Sequence, residues 1–164
     1  MTSTIDRAPL GRMLAIFLGI LIAANVLLGG IGYYFPDLPI PSSMGIILAM
    51  VAAMSSGQVA VKAVNRRLTF AEKATFAVVA TVLSVVLTIA VLWAILAYHG
   101  APFTLENAIL ALTGDAAPPA DFLEILAWIG PIVLLVYVLI TYGGVAFGSR
   151  NQIKLQEKMA LKGR

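Results

Sequence analysis

Four stretches of this chain carry no charge, and each is long enough to cross a bilayer. They run from Met13 to Tyr33, Met44 to Val61, Ala74 to Tyr98 and Ile125 to Ser149. A helix needs about 20 apolar residues to span the hydrocarbon, with about 17 as the lower bound. Inside a bilayer each backbone N–H and C=O must find its partner within the chain, so a run that is apolar on all sides is a helix. A membrane β-barrel alternates polar and apolar residues in segments of about ten and needs about eight strands or more; this pattern offers neither. Composition agrees. Hydrophobic residues make up 60% of the 164 and charged residues 12%, and mean hydropathy is +0.96. A typical soluble domain is about a quarter charged. The expected fold is all-α and integral to the membrane. It is one domain of four transmembrane helices, about 13–33, 44–61, 70–98 and 122–149, with a basic helical tail over about 150–164. Helix 1 is read as a retained span, because its apolar run exceeds the roughly 7–15 residues of a signal peptide and no A-x-A site follows.

The charges orient these helices. All 11 Lys and Arg fall in three places. Arg7 and Arg12 precede helix 1. Lys62, Arg66, Arg67 and Lys73 separate helices 2 and 3. Arg150, Lys154, Lys158, Lys162 and Arg164 follow helix 4. The other two loops, 34–43 and 99–124, hold none. With both termini on one side, the three basic places coincide, and the positive-inside rule makes that side cytoplasmic. Asp37, Glu106, Asp115, Asp121 and Glu124 stand opposite; Asp6, Glu72 and Glu157 share the basic side. The net charge of +3 is thus an orientation signal with an affinity for anionic lipid headgroups, and no nucleic-acid partner is expected.

The loops carry their own signals. Pro36, Pro39 and Pro41 force an extended or turned first loop, after which Ser42 or Ser43 can cap helix 2. Tyr33, Tyr34 and Phe35 suit the outer interface. Thr69-Phe70-Ala71-Glu72 is a capping box that starts helix 3, with Phe70 to Lys73 as a first turn outside the hydrocarbon. Asp121 to Glu124 is a second such box before helix 4. Between them, residues 104–113 suit either a short interfacial helix or a packed loop, and Gly114-Asp115 and Pro118-Pro119 break the chain. Beyond helix 4 a base recurs every fourth residue. Arg150, Lys154, Lys158 and Lys162 form one helical face, read as a lipid or partner surface or as a solvated end that fixes topology.

Small residues mark packing faces. Helix 2 carries Gly45, Ala49, Ala53 and Gly57 four apart, a small-xxx-small stripe that lets a second backbone approach. Helix 3 carries Ala77, Thr81, Ser84 and Thr88 on one face. The simplest expectation docks these two stripes on each other inside the monomer, and the alternative uses one of them for oligomerisation. Gly29, Gly30 and Gly32, and Gly143, Gly144 and Gly148, are further candidates for close approach or mild hinges.

Chemistry is sparse. Cys is absent, which excludes disulfides and thiolate sites, and one histidine is present. No ionisable residue sits at membrane depth, where transporters and pumps usually carry them. Asn25 and Gln58 are the polar residues that would line a cavity if they converged; interhelical hydrogen bonding explains them otherwise. His99, with Glu106 or Asp115, is the remaining candidate for acid–base chemistry, and it lacks an orienting third group. The motifs of metalloproteases, nucleotide-binding loops and serine hydrolases are missing. No enzyme activity, cofactor or metal is expected.

Ile40-Pro41-Ser42-Ser43-Met44-Gly45, Ser56-Gly57-Gln58 and Asn65 to Lys73 resemble a family of short bacterial inner-membrane proteins with four predicted helices and no agreed activity. The resemblance covers the middle third of the chain. It implies a Pro-Ser approach to helix 2 and an Arg, spacer, Glu-Lys turn before helix 3. Leu68-Thr69 stand where family members often carry a proline after the arginines. The layout also resembles the small membrane subunit of tripartite periplasmic solute transporters, in length and helix number only. The expected role is an accessory or assembly subunit of a larger respiratory, photosynthetic or transport complex, with a homo-oligomeric transporter or channel component as the alternative. The subunit reading requires one helix face that stays small and apolar after the bundle is built. The transporter reading requires Asn25, Gln58, Thr81, Ser84 and Thr88 to converge. An enzyme acting on lipid at His99 is the third possibility.

Overall fold

The computed structural model describes residues 7–35, 37–38, 43–113 and 122–162. They form five helices and, among the described residues, no strand: α1 (Leu10–Tyr34), α2 (Met44–Val64), α3 (Phe70–Tyr98), α4 (Leu105–Thr113) and α5 (Phe122–Lys162). Four of them, all but α4, are long and apolar enough to cross a membrane. Asp6, Pro36, Pro39, Ile40, Pro41, Ser42, Gly114, Asp115, Pro118, Pro119, Asp121 and Arg164, which carried expectations above, lie outside the described residues.

Local chemistry sets the helix ends. α2 stops at Asn65, which adopts a left-handed conformation (φ 49°) and donates its N–H to the Val61 carbonyl at 2.8 Å. Asn tolerates that region better than most residues because its short side chain bonds locally. α3 starts with the expected capping box. Glu72 N–H donates to Thr69 Oγ1 at 3.2 Å, and Thr69 N–H donates to Glu72 Oε2 at 2.8 Å. α3 ends at Gly100 (φ +66°), where Ala101 N–H reaches the Leu96 carbonyl at 2.9 Å and Gly100 N–H reaches Ala97 at 3.1 Å. That pairing needs a left-handed residue, and glycine adopts one without steric penalty. The segment left open between helix and loop is helical: Thr104 Oγ1 accepts the Asn107 N–H at 3.3 Å, and α4 follows. Ser43 precedes α2 without a side-chain cap bond. α5 runs for 41 residues through Pro131, so the basic tail continues the last long helix.

The chain divides into two compact units, residues 1–80 with 137–164 and residues 81–136. In the first, α1 and α2 pack antiparallel: Ser56 Oγ, near the end of α2, donates to the Met13 carbonyl near the start of α1 at 3.0 Å. Met13, Phe17, Ala49, Ala52, Ala53, Ala60, Val61, Phe76, Ala80 and Val145 are buried there. Phe17 and Phe76 meet edge to face at 5.7 Å between ring centroids. Such an arrangement sets the positive edge of one ring on the negative face of the other. In the second unit Leu92, Leu96 and Ile109 are buried, and Thr88 Oγ1 donates back to the Ser84 carbonyl at 2.9 Å. Trp93, Trp128, Ile132 and Leu135 are exposed. A soluble monomer rarely presents an apolar surface of this kind, whereas hydrocarbon covers it without penalty.

Candidate functional site

α2 and α5 come close enough for their backbones to touch, and glycine makes it possible. A Cβ on Gly57 would stand 2.5 Å from the Val145 carbonyl oxygen and 3.2 Å from Ser149 N. One on Gly144 would stand 2.8 Å from Ala53 Cβ and 2.9 Å from the Met50 carbonyl oxygen. One on Gly148 would overlap the Met54 carbonyl. The residue numbers rise together, so the two helices run parallel here, backbone against backbone. Apolar burial gives no advantage between helices in lipid, so this seam holds by dispersion at close range.

The α2 stripe therefore meets a different neighbour from the one expected. Ala53 and Gly57 pack on α5, where a docking on the α3 stripe was anticipated. Ala49 is buried, while Gly45 is exposed with open space beside it. On α3, Ala77 and Thr81 are buried and Thr88 is exposed. The physical reason is symmetry in the sequence signal. A small-residue stripe specifies close approach but not the partner, and α5 offers glycine where α3 offers Ala77 and β-branched Thr81 and Thr88. Of the other candidate close-approach glycines, Gly144 and Gly148 fill that role; Gly29, Gly30 and Gly143 have nothing near them.

The basic end of the same unit is held by Glu72. Arg66 Nη2 pairs with Glu72 Oε1 at 2.6 Å and Arg66 Nη1 donates to Oε2 at 3.0 Å, a two-pronged contact. The Ala8 N–H adds a bond to Oε1 at 3.0 Å. One carboxylate thus ties together the segment before α1, the turn after α2 and the cap of α3. With 29 residues, α3 is longer than the hydrocarbon requires, so this first turn precedes the charge-free run that begins at Ala74. The Arg66 hydrogen bond, opposed by partial burial and helped by the Thr69 and Ala8 N–H groups, lowers the Glu72 pKa from 4.5 to about 2. Nearby, Lys73 Nζ sits 5.5 Å above the Tyr142 ring, and Phe70 packs on the same ring at 5.6 Å.

The polar candidates do not share a site. The Asn25 amide donates to the Leu21 carbonyl of its own helix at 2.8 Å. Met13 is level with Ser56 and the helices are antiparallel, so Asn25 stands roughly 21 Å along the axis from the level of Gln58, at 1.5 Å per residue. Ser55 likewise bonds within its helix, to Val51 at 3.0 Å. His99 is exposed and meets the Tyr98 ring at 5.3 Å. A shallow surface pocket is lined by Tyr34, Phe35, Asp37 and Leu38. No cluster of three His, Cys, Asp or Glu suited to a metal exists among the described residues.

Two features escaped the sequence reading. One is the reach of Glu72 to Ala8, far away in the chain. The other is an open face of α1, where Gly11, Ala15, Gly19 and Ala23 recur four apart and are exposed, with no atom within 4 Å of a Cβ on either glycine. The four-residue spacing was visible in the sequence, but so was the spacing on α2. The basic ladder Arg150, Lys154, Lys158 and Lys162 is exposed throughout. No known protein family, curated protein or solved structure matches this chain.

Proposed function

We propose that this chain is a non-catalytic, four-span protein of a bacterial inner membrane, both termini cytoplasmic, that serves as an accessory or assembly subunit of a larger membrane complex. The observation that carries this reading is the open α1 face. In this fold, Gly57, Gly144 and Gly148 sit where another backbone touches them. Gly11 and Gly19 have the same four-residue spacing of small side chains, and among the described residues an added Cβ at either would meet no atom within 4 Å. A glycine inside a helix costs roughly 1 kcal/mol relative to alanine, which close packing against a further helix offsets. The face has the small-residue chemistry of a helix-docking surface and stays open after the bundle is built.

The test is purification from the native membrane in gentle detergent, followed by native electrophoresis and mass spectrometry. Co-migration in fixed stoichiometry with larger membrane proteins supports the reading; a lone 17.3 kDa chain refutes it. Orientation has a separate test: a reporter active only outside the cytoplasm, fused after Lys162, is expected to stay silent. The alternative, a homo-oligomeric transporter, requires a shared polar path, and the roughly 21 Å between the levels of Asn25 and Gln58 gives it no support.

A further inference from the structure

The end of α5 is built as a two-faced post. Ser149 and Gln152 are buried, Ile153 packs against the core, and Gln156 is half-buried; these share one side of the helix. At 100° per residue, Arg150, Lys154, Lys158 and Lys162 lie on the opposite side, all exposed. Leu155 and Leu161, also exposed, flank this ladder, with Met159 beyond Leu155. From Glu157 to Lys162 every side chain is exposed. The parallel register explains why. Gly57 is level with Ser149, so Val64, the last residue of α2, comes level with Gln156, and beyond it Asn65 turns the chain away. The last turns of α5 stand clear of the helix that supports them.

Three occupants can be compared by geometry. The charge-free run ends at Ser149, so the polar layer begins near Arg150. That layer is about 5–7 Å thick on each side of a bilayer. At 1.5 Å per residue Lys154 is about 6 Å from Arg150 along the axis, Lys158 about 12 Å and Lys162 about 18 Å. Headgroups therefore reach the first two bases and not the last two. Laying the helix down on the membrane would pull Gln152 and Ile153 out of their packing. A second copy in the same membrane runs in the same direction and sets base against base. The remaining occupant has opposite charge and lies in the aqueous phase.

We propose that the last three turns of α5 dock a cytoplasmic protein segment in which Asp or Glu recurs at helical spacing beside apolar residues. The acids pair with Lys154, Lys158 and Lys162, and the apolar residues cover Leu155 and Met159, which lie four apart on one side of the ladder. This rests on the subunit reading and names where the partner is gripped outside the membrane.

The experiment places a photo-crosslinking amino acid at Leu155 or Met159 of the full chain in its native membrane, with and without Lys158→Glu/Lys162→Glu. The expected result is a discrete protein adduct at both positions whose crosslinked peptide carries acids at three- or four-residue spacing. Charge reversal is expected to lower its yield at least tenfold, while Lys62→Glu leaves it unchanged; the membrane-fraction level of each variant checks insertion. Adducts of lipid mass alone, or a yield unmoved by charge reversal, overturn the proposal. Native electrophoresis of the same samples separates the two readings. A charge-reversed chain that still co-migrates with a complex, without adduct in either form, refutes the docking and leaves the subunit role standing. A wild-type chain that migrates alone and forms no adduct refutes both.

Discussion

Replacing Gly148 with alanine tests the α2–α5 seam at its closest point. The added Cβ would overlap the Met54 carbonyl and stand 2.7 Å from Met54 C and 2.8 Å from Met54 Cα. All three are backbone atoms, so no side chain can swing aside. Two carbons rest at about 3.5–4.0 Å, so the helices must part by roughly 1 Å. Parting them also loosens the contacts at Gly57 and Gly144, since all three glycines share one seam. Overpacking of this kind costs about 1–3 kcal/mol, and the better helix propensity of alanine returns up to about 1 kcal/mol. The expected net loss is about 1–2 kcal/mol, a shift of roughly 5- to 30-fold in the folded-to-unfolded ratio. The control is Gly143→Ala on the same helix, where the new methyl meets open space. That variant is expected to be neutral or up to about 1 kcal/mol more stable. Reversible unfolding in mixed micelles, followed by circular dichroism, reads both. If Gly148→Ala matches wild type, or the two alanine variants are indistinguishable, the helices are not in backbone contact and the account of the seam is wrong.

Glu72 predicts a pH response. Its folded pKa is lowered to about 2 from 4.5, so its contribution is complete above about pH 4.5 and is lost as pH falls toward 2. The shift is equivalent to about 3 kcal/mol at most, and solvent screening of this partly exposed pair leaves about 1–2 kcal/mol. Glu72→Gln should show that loss at neutral pH and a flatter thermal stability between pH 5 and pH 2; an unchanged profile would count against the Arg66–Glu72–Ala8 tie. Thr141 is fully buried, and its Oγ1 has no hydrogen-bond partner among the described residues. Thr141→Val keeps the shape and removes an unsatisfied hydroxyl, so stability should hold or rise by about 1 kcal/mol, and a drop of that size in the same micelle assay would reveal a partner for the hydroxyl. Ser56 is buried, and its single hydroxyl proton is shared between the Met13 carbonyl of α1 at 3.0 Å and the Ala52 carbonyl of its own helix at 2.9 Å. Ser56→Ala is expected to cost about 0.6 kcal/mol, the scale of hydrogen bonds between membrane helices, and a gain would mean that the bond adds nothing.

The number, length and order of the long helices were legible because each rests on local chemistry. A charge-free run forces a helix wherever it lies in the chain, Thr69 and Glu72 cap α3 from three residues apart, and a base every fourth residue draws one face of the tail. Residues 104–113 stayed ambiguous because nine helical residues hold too few apolar positions to separate a helix from a loop. The separation of Asn25 and Gln58 was legible too, because the charge pattern sets helix direction and so puts Asn25 in the outer half of helix 1 and Gln58 near the inner end of helix 2.

What tertiary structure alone decided is which small face meets which. Glycine and alanine at four-residue spacing recur on α1, α2 and α5, and each stripe says only that a backbone can come close. Ala53 and Gly57 found Gly144 and Gly148, and Gly11 and Gly19 found nothing in this chain. Dispersion between close backbones falls off within about 1 Å, so the choice depends on how two whole surfaces fit, and no single residue announces it. Glu72 shows the same division. Its place at the cap of α3 is written in four consecutive residues, while its bond to Ala8 exists only because the helices have brought the two ends of that distance together.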